Sequence, residues 1–272
     1  MVSMKTKPEI LKYYASGVER NRLSKGVFSL EKIRTQELIS RLLPTKKCMI
    51  LDVGAGAGFY SFWLKGLGHE VHIIDPSTKN LELVRLQERT SGKLASINQA
   101  DARKLPFEKN NFDVVLMLGP LYHLTAKKER LKAISEAKRV LKGRGVLIAV
   151  GISRYASLFE GFFNQGINLN GFISMMNQDI STGQHRNKTG RFDFFTTAYF
   201  HRPYELKNEV KEAGFKSPRL SAVESFGWLS SGFAKLWSNG KKRKLLLDTI
   251  RKVENDPELM AVSAHVMVTA LK

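Results

Sequence analysis

Three acidic residues and a glycine-rich turn are the features of this sequence best placed to do chemistry. The turn lies in the segment ILDVGAGAGFY, where Asp52 precedes Gly54, Gly56 and Gly58 at the junction of a buried strand with a helix. Glycines at such a junction permit a tight turn and let backbone N–H groups approach a ligand closely. The third glycine comes only two residues after the second, a spacing that fits a dinucleotide poorly. Asp52 favours instead a ligand that carries a cationic group.

Two further carboxylates follow the next two predicted strands. Asp75 lies 21 residues after Gly54, where an acid can accept hydrogen bonds from both hydroxyls of a ribose. Asp101 lies in the turn QADARKLPF, where it can accept from the exocyclic amine of an adenine while the Ala102 N–H reaches a ring nitrogen. Each acid also has a structural alternative, because Asp75 can cap a helix and Asp101 can simply stabilise its turn. Their position after three successive strands nevertheless favours one shared ligand site.

Apolar strands alternate with amphipathic helices through the first half of the chain, a pattern typical of a parallel sheet covered on both faces. We predict an α/β fold: a Rossmann-like, seven-stranded, mostly parallel sheet with helices on both faces, N-terminal helices and a lid insertion after strand five. An amphipathic helix is predicted over 29–43, with Ser29 as its cap. The predicted strands are 48–53, 71–75, 95–98, 112–118, 145–150, 219–223 and 261–271.

The same pattern predicts four regions along the chain. These are an N-terminal helical segment (1–45), a cofactor-binding core (46–151), a lid or substrate insertion (152–202), and the completion of the core (203–272).

Composition narrows the class of protein. The chain has 272 residues, and its 43% hydrophobic content excludes disorder as a description of the whole. Its only cysteine, Cys48, excludes an internal disulfide and a cysteine-based metal cluster. No long apolar segment or signal peptide is recognisable, so we expect a cytoplasmic protein with no membrane partner.

The acidic residues and the glycine turn resemble those of the class I S-adenosylmethionine-dependent methyltransferases. The resemblance covers about residues 46–151, and the segment MLGPLYHL (117–124) is similar to a small-molecule subgroup of type 11/25 methyltransferases. It implies that S-adenosyl-L-methionine is the cofactor, with S-adenosyl-L-homocysteine as product. The cofactor-binding residues expected on this basis are Asp52, Gly54, Ala55, Gly56, Asp75, Pro76, Asp101, Ala102, Leu118 and Gly119. The six scattered histidines and the single cysteine predict no metal site.

The resemblance implies an in-line methyl transfer, which needs a general base only if the acceptor carries a proton near neutral pH. His123, beside Tyr122 in the loop after strand four, is one candidate. Tyr199 and His201, at the end of the insertion, are the others. For each histidine a purely structural role is the alternative.

The charge and aromatic content of the insertion bear on whether the methyl acceptor is a small molecule or RNA. The chain carries a net charge of +19, yet residues 151–200 have four basic and three acidic side chains and ten of the 26 aromatic residues. A nearly neutral, aromatic cover favours a small apolar or aromatic acceptor. The alternatives are an rRNA or tRNA methyltransferase that uses basic segments such as KKRK (241–244), and a non-catalytic protein that binds S-adenosylmethionine.

Overall fold

A computed structural model describes residues 6–17, 22–192 and 194–272. In these ranges the chain forms a seven-stranded sheet and a separate two-stranded ribbon. The strands are β1 (Met49–Val53), β2 (Glu70–Asp75), β3 (Ser96–Gln99), β4 (Phe112–Met117), β5 (Leu141–Ile152), β6 (Gln184–His185), β7 (Ala198–Tyr199), β8 (Lys216–Ala222) and β9 (His265–Leu271).

The large sheet has the order β3-β2-β1-β4-β5-β9-β8. The first five of these strands pair in parallel, whereas β9 is antiparallel to both β5 and β8. The predicted Rossmann-like, mostly parallel sheet of seven strands is therefore confirmed. The order reverses between β1 and β4, so a crevice opens at the carboxyl ends of these strands.

Helices cover both faces of the large sheet. Neighbouring residues of a strand point to opposite faces, so Leu51 packs with helices on one side and Ile50 with helices on the other. The helices are α1 (Pro8–Ala15), α2 (Phe28–Ser40), α3 (Phe59–Gly66), α4 (Thr78–Ser91), α5 (Pro120–His123), α6 (Lys127–Val140), α7 (Ala156–Phe163), α8 (Phe172–Thr182), α9 (Pro203–Glu212), α10 (Phe233–Ser238) and α11 (Gly240–Val253).

The two helical layers have separate apolar cores. Helices α6 and α9 bury Ala133, Ala137, Leu206 and Val210 on one face, and α2, α3 and α4 bury side chains such as Leu81 on the other. No helix in the described ranges is both long and apolar enough to cross a membrane.

Local predictions differ from the structure at several element ends. Helix α2 begins at Phe28 and is preceded by Val27, so Ser29 is not its cap; its hydroxyl donates instead to the Gly26 carbonyl. Strand β9 begins at His265, four residues later than predicted, because Met260–Val262 forms a 3-10 turn.

The stretch between β5 and α9 contains α7, α8 and the β6-β7 ribbon. Phe172, Met175, Met176 and Phe194 form a small apolar core of its own. The stretch is joined to the large sheet where the His201 N–H donates to the carbonyl of Ile152, the last residue of β5. Part of its aromatic content is thus used for internal packing, while the boundaries of the four predicted regions stay predictions.

A buried ion pair holds α6 to α9. The Arg130 guanidinium donates to both carboxylate oxygens of Glu209, with a shortest distance of 2.6 Å, and also to the carbonyls of Leu124 and Thr125. Burial alone would raise the pKa of Glu209, but Arg130 and His201 lower it to about 2. The carboxylate is therefore charged in the folded protein over the ordinary pH range.

We expect the substitution Glu209→Ala to lower the free energy of unfolding by about 3 to 5 kcal/mol, because it leaves a buried guanidinium without its counter-charge. Urea denaturation measures this change. The double variant R130M/E209M should recover most of the loss, since it removes both charges. The exposed pair Lys127–Glu212 provides the control, and Glu212→Ala should leave the midpoint unchanged. Equal midpoints for wild type and Glu209→Ala would contradict the assignment.

Candidate active site

A cavity of about 870 Å³ lies at the carboxyl edge of the parallel strands. Its wall is built from the turns that follow β1, β2, β3 and β4 and from the start of β9. Residues of helices α1 and α2, near the N-terminus of the chain, also line it. All ten residues predicted to bind a cofactor line this one cavity, and His123 lines it too: Asp52, Gly54, Ala55, Gly56, Asp75, Pro76, Asp101, Ala102, Leu118 and Gly119.

The glycine turn forms one wall of the cavity and depends on left-handed backbone angles. The φ angles of Gly54 and Gly56 are +73° and +58°, values that side chains rarely tolerate. A Cβ atom on Gly54 would lie 3.2 Å from Cδ of Pro120, in the loop after β4. The absence of a side chain therefore allows two strand ends to approach each other and leaves backbone exposed to a ligand.

Asp75 connects the glycine turn to helix α4. Its Oδ2 atom accepts from the Gly56 N–H at 2.9 Å, and its Oδ1 atom accepts from the Ser77 N–H and the Asn80 side-chain amide. The helix cap is Ser77, whose hydroxyl accepts from the Asn80 N–H. Asp75 is thus not the cap of α4. It is a buried carboxylate, its pKa raised by burial, that lines the cavity beside the turn.

Asp101 both organises its own turn and lines the cavity. The Arg103 side chain donates to both of its carboxylate oxygens, at 2.8 and 2.6 Å, and the Arg103 N–H donates to Oδ1. Arg103 also pairs with Glu129. Because each carboxylate oxygen has two acceptor positions, Oδ2 keeps the capacity to accept from a ligand.

Asp52 lies at the end of β1, below the glycine turn. Burial raises its pKa to about 6, although a hydrogen bond from the Ser61 hydroxyl, 2.6 Å long, opposes the rise. A cationic group placed nearby would favour the charged form and lower this pKa.

His123 is held on both of its ring nitrogens. Nδ1 lies 3.3 Å from the Thr197 carbonyl and Nε2 lies 2.8 Å from the Tyr14 hydroxyl. A carbonyl only accepts, so Nδ1 carries the proton and Nε2 accepts from Tyr14. Burial lowers the pKa of His123 to about 4, and the ring stacks on Phe195. His123 is therefore a neutral wall residue whose basic nitrogen is already occupied.

Tyr199 and His201, the other two predicted catalytic residues, do not line the cavity. The Arg130 guanidinium lies 3.8 Å from the centre of the Tyr199 ring, and the Tyr199 hydroxyl donates to Glu205. His201 is buried, with Nε2 3.4 Å from Glu209. These contacts hold both side chains in the interface with α9, which corrects the expectation that they face the reacting atoms.

The cover of the cavity also differs from the prediction. No residue of 152–202 in the described ranges lines it, whereas Lys7, Ile10, Tyr14 and other N-terminal residues do. The insertion lies behind this N-terminal segment: Phe195 contacts the Tyr13 ring, and the Thr196 hydroxyl donates to the Glu9 carbonyl. The insertion therefore supports the cover without forming it.

Sequence reasoning missed a polar group at another part of the cavity wall. His265, at the first position of β9, and Glu31, on α2, line the cavity, and Glu224 lies behind His265. These residues are distant in sequence, so no short motif reveals them. The signal that the sequence does contain is a histidine in the otherwise apolar stretch AVSAHVMVTAL.

The arrangement fits the predicted cofactor. The family resemblance implies a carboxylate for the ribose at the end of the second strand, an acceptor and a backbone N–H for the adenine after the third, and a glycine turn for the methionine group. Asp75, Asp101, Ala102 and the glycines meet these requirements along one continuous wall. The sheet order and this site together define a class I S-adenosylmethionine-dependent methyltransferase fold.

Comparison with known proteins agrees with this class. Residues 51–149 match the family model of the methyltransferase domain, so this part of the chain is a methyltransferase domain. The chain is 32% identical to an uncharacterized protein of Methanocaldococcus jannaschii over 127 residues. This match covers 47% of this chain and 51% of that protein. The chain is 33% identical over 118 residues to the ubiquinone/menaquinone biosynthesis C-methyltransferase UbiE of Neisseria meningitidis, covering 42% and 47% respectively. The chain thus spans about half the length of these curated relatives.

A solved structure from Thermotoga maritima is similar over almost the whole chain. It is described as a methyltransferase dependent on S-adenosylmethionine and a possible histamine N-methyltransferase. The TM-score is 0.58 at 17% sequence identity, with 97% of this chain and 98% of that chain covered. At this identity the similarity concerns the fold.

The neutral state of His123 makes a pH-dependent contribution to stability. Its pKa is about 4 in the folded protein, below its ordinary value of 6.5, so the unfolded chain binds the proton first as the pH falls. We expect the contribution to be complete above pH ~6.5 and to decline between ~6.5 and ~4. His123→Asn should flatten the dependence of the free energy of unfolding on pH in that window. Parallel curves for wild type and variant would contradict the burial of a neutral ring.

Proposed function

We propose that this protein transfers a methyl group from S-adenosyl-L-methionine to a small, apolar or aromatic acceptor. The observation that carries the proposal is the single cavity that joins the ten predicted cofactor residues to a set of aromatic side chains. Among the latter, Tyr14, Phe59, Tyr60 and Tyr122 line the cavity. When bound, the cofactor supplies a methyl group activated by its attachment to a sulfonium.

The chain's own residues would bind and orient the cofactor. Asp75 would accept from the ribose hydroxyls, Asp101 from the adenine amine, and the Ala102 N–H would donate to a ring nitrogen. The exposed backbone of the glycine turn and of Leu118-Gly119 would hold the methionine group. Much of the rate enhancement can come from placing the acceptor atom in line with the methyl group, since positioning alone is worth several kcal/mol.

Enclosure of the cavity supports a small acceptor rather than RNA. The N-terminal segment covers the cavity on one side, and the loop after β4 and the start of β9 close others. A polynucleotide needs an open, positively charged track. The basic run Lys241–Lys244 is exposed on α11 and does not line the cavity. Its side chains are thus available for non-specific contacts that do not deliver a base to the site.

We expect Asp75→Asn to weaken binding of S-adenosylmethionine by about 1 to 3 kcal/mol, because a buried carboxylate that accepts from two hydroxyls is replaced by an amide. Isothermal titration calorimetry measures the change. Asp113→Asn is the matched control: Asp113 also accepts from a backbone N–H and a side chain, but it does not line the cavity. Equal affinities for wild type and Asp75→Asn would exclude Asp75 from the ribose site. Absence of binding by the wild type would refute the proposed function itself.

A salt titration separates the small-molecule proposal from an RNA methyltransferase. We expect wild-type protein to bind RNA weakly and uniformly, with an affinity that falls as salt rises. Replacing Lys241, Lys242, Arg243 and Lys244 by Gln should reduce the slope of log affinity against log salt and leave cofactor affinity unchanged. A defined protected site on the RNA, together with transfer of labelled methyl to it, would overturn the small-molecule proposal.

A further inference from the structure

A histidine and two glutamates from three separate segments meet at the cavity. The nitrogen of His265 and carboxylate oxygens of Glu31 and Glu224 lie within 4.8 Å of one another. Arg22 donates to both carboxylate oxygens of Glu31, at 2.5 and 2.9 Å. Arg22, Glu31 and His265 line the cavity, and Glu224 is buried behind them. Arg22 with Glu31 and His265 with Glu224 therefore form two ion pairs beside the wall where the cofactor is predicted to bind.

The orientation of the His265 ring is fixed by Glu224. Nδ1 lies 2.7 Å from Oε1 of Glu224, and because a carboxylate only accepts, Nδ1 carries a proton. Glu224 is fixed in turn, since its Oε2 atom accepts from the Ser263 hydroxyl and from the His265 N–H. Nε2 makes no hydrogen bond to any residue of the described ranges. An imidazole with Nδ1 on a carboxylate and Nε2 open to a cavity is arranged to exchange a proton with a ligand.

The surroundings of His265 stabilise its protonated form, so the ring can act as a base only in the neutral form that becomes abundant as the pH approaches about 9. Burial alone would lower its pKa, but the charges of Glu224 and Glu31 raise it to about 9. Arg22 opposes this effect and also pairs with Glu31, whose own pKa is lowered by His265 and Arg22 despite burial. Tyr60, on α3, is a further titratable neighbour of this group, and burial raises its pKa, so it stays neutral.

We propose that His265 is the general base for a hydroxylated aromatic acceptor, and that Glu224 is the residue that positions it. The proposal rests on the proposed methyl transfer and identifies the acceptor class. His123 is a poorer candidate, since its Nε2 atom already accepts from Tyr14. The aromatic side chains of the cavity suit a ring, and a phenolic hydroxyl is a nucleophile that needs to lose a proton.

The step balances without a further reactant. The oxygen of the acceptor forms a bond to the methyl carbon, the carbon–sulfur bond breaks, and sulfur keeps the electron pair. The hydroxyl proton moves to Nε2, which gives an imidazolium paired with Glu224. Release of that proton to solvent, which is favoured at a pH near or above about 9, restores the neutral ring that can react again.

The first test measures the proton on His265 directly by histidine NMR, with S-adenosylhomocysteine bound. We expect the His265 resonance of the wild type to titrate at about pH 9, as the pKa above indicates. In Glu224→Gln it should titrate at clearly lower pH, because the nearest negative charge is lost. His69→Gln, at a histidine that does not line the cavity, serves as the control and should leave the His265 curve in place. An unchanged titration in Glu224→Gln would overturn the role assigned to Glu224.

The second test uses phenol as a probe at about pH 9, where a large part of His265 is neutral and free phenol keeps its proton, because the phenolate absorbs at a longer wavelength than the phenol. Bound to the wild type with S-adenosylhomocysteine, the probe should show the phenolate band at a pH where the free probe is a phenol. His265→Gln should lose the band, and Glu224→Gln should weaken it. The band should persist in EDTA.

Three outcomes would overturn the proposal: no band in the wild type, a band of equal strength in His265→Gln, or a band that requires an added divalent cation. Calorimetry with S-adenosylhomocysteine keeps this result separate from the proposed function. Retained cofactor binding in His265→Gln with loss of the band supports the base. Absence of cofactor binding in the wild type would instead count against the methyltransferase proposal.

Discussion

The hydrogen bond from the Gly56 N–H to the Asp75 carboxylate joins the ends of the first two strands. It is the contact on which the site depends, because it fixes the open side of the glycine turn against the wall that follows β2. Gly54 supplies the second constraint, since a Cβ atom there would crowd Pro120 at 3.2 Å and its φ of +73° disfavours any side chain. The carboxyl ends of β1, β2 and β4 are thus held at fixed spacing before any ligand is bound. Preorganisation of this kind lowers the cost of ordering the site when a ligand binds.

The N-terminal segment completes the cavity through contacts of a different kind. Polar contacts to the core are made from separate positions: the Tyr14 hydroxyl with His123, and the Lys7 ammonium with the Thr125 hydroxyl. Apolar packing adds the edge-to-face contact of Tyr13 with Phe195. The insertion after β5 determines where this segment lies, because it supplies both Phe195 and the Thr197 carbonyl that orients His123. The described part of the insertion does not line the cavity, yet it thereby influences the shape of the cavity wall.

The sequence predicted those parts of the molecule whose determinants are local. Asp52 and Asp75 lie at the carboxyl ends of β1 and β2, and the glycines and Asp101 lie in the turns after β1 and β3. Parallel strands bring these ends to the same edge of the sheet. The apolar runs of strand length likewise predicted a sheet, although they do not show which strands pair. Sequence adjacency was sufficient for these features because backbone geometry alone positions them.

Side chains placed by tertiary contacts could not be predicted in this way. Tyr199 and His201 lie near the expected region in sequence, but Arg130 and Glu209 hold them against α9. His265 is separated from Glu31 by more than 200 positions and meets it only after β9 has paired with β5. The apolar pattern of the sequence predicted that His265 lies in a strand, but it did not indicate that the carboxylates of Glu31 and Glu224 lie nearby.

The net charge of +19 suggests a polyanionic partner, but the positions of the charged side chains do not put that excess at the cavity. Several basic side chains are buried in ion pairs, among them Arg34 with Glu254 and Arg130 with Glu209. At the cavity, Arg22 is balanced by Glu31 and protonated His265 by Glu224. On the proposal made above, a neutral phenol enters this balanced environment without bringing an uncompensated charge, whereas an anion would have to compete with two carboxylates. On this proposal the balanced charge of the group favours a neutral acceptor, and the proton of that acceptor passes to His265 when the ring is in its neutral form beside Glu224.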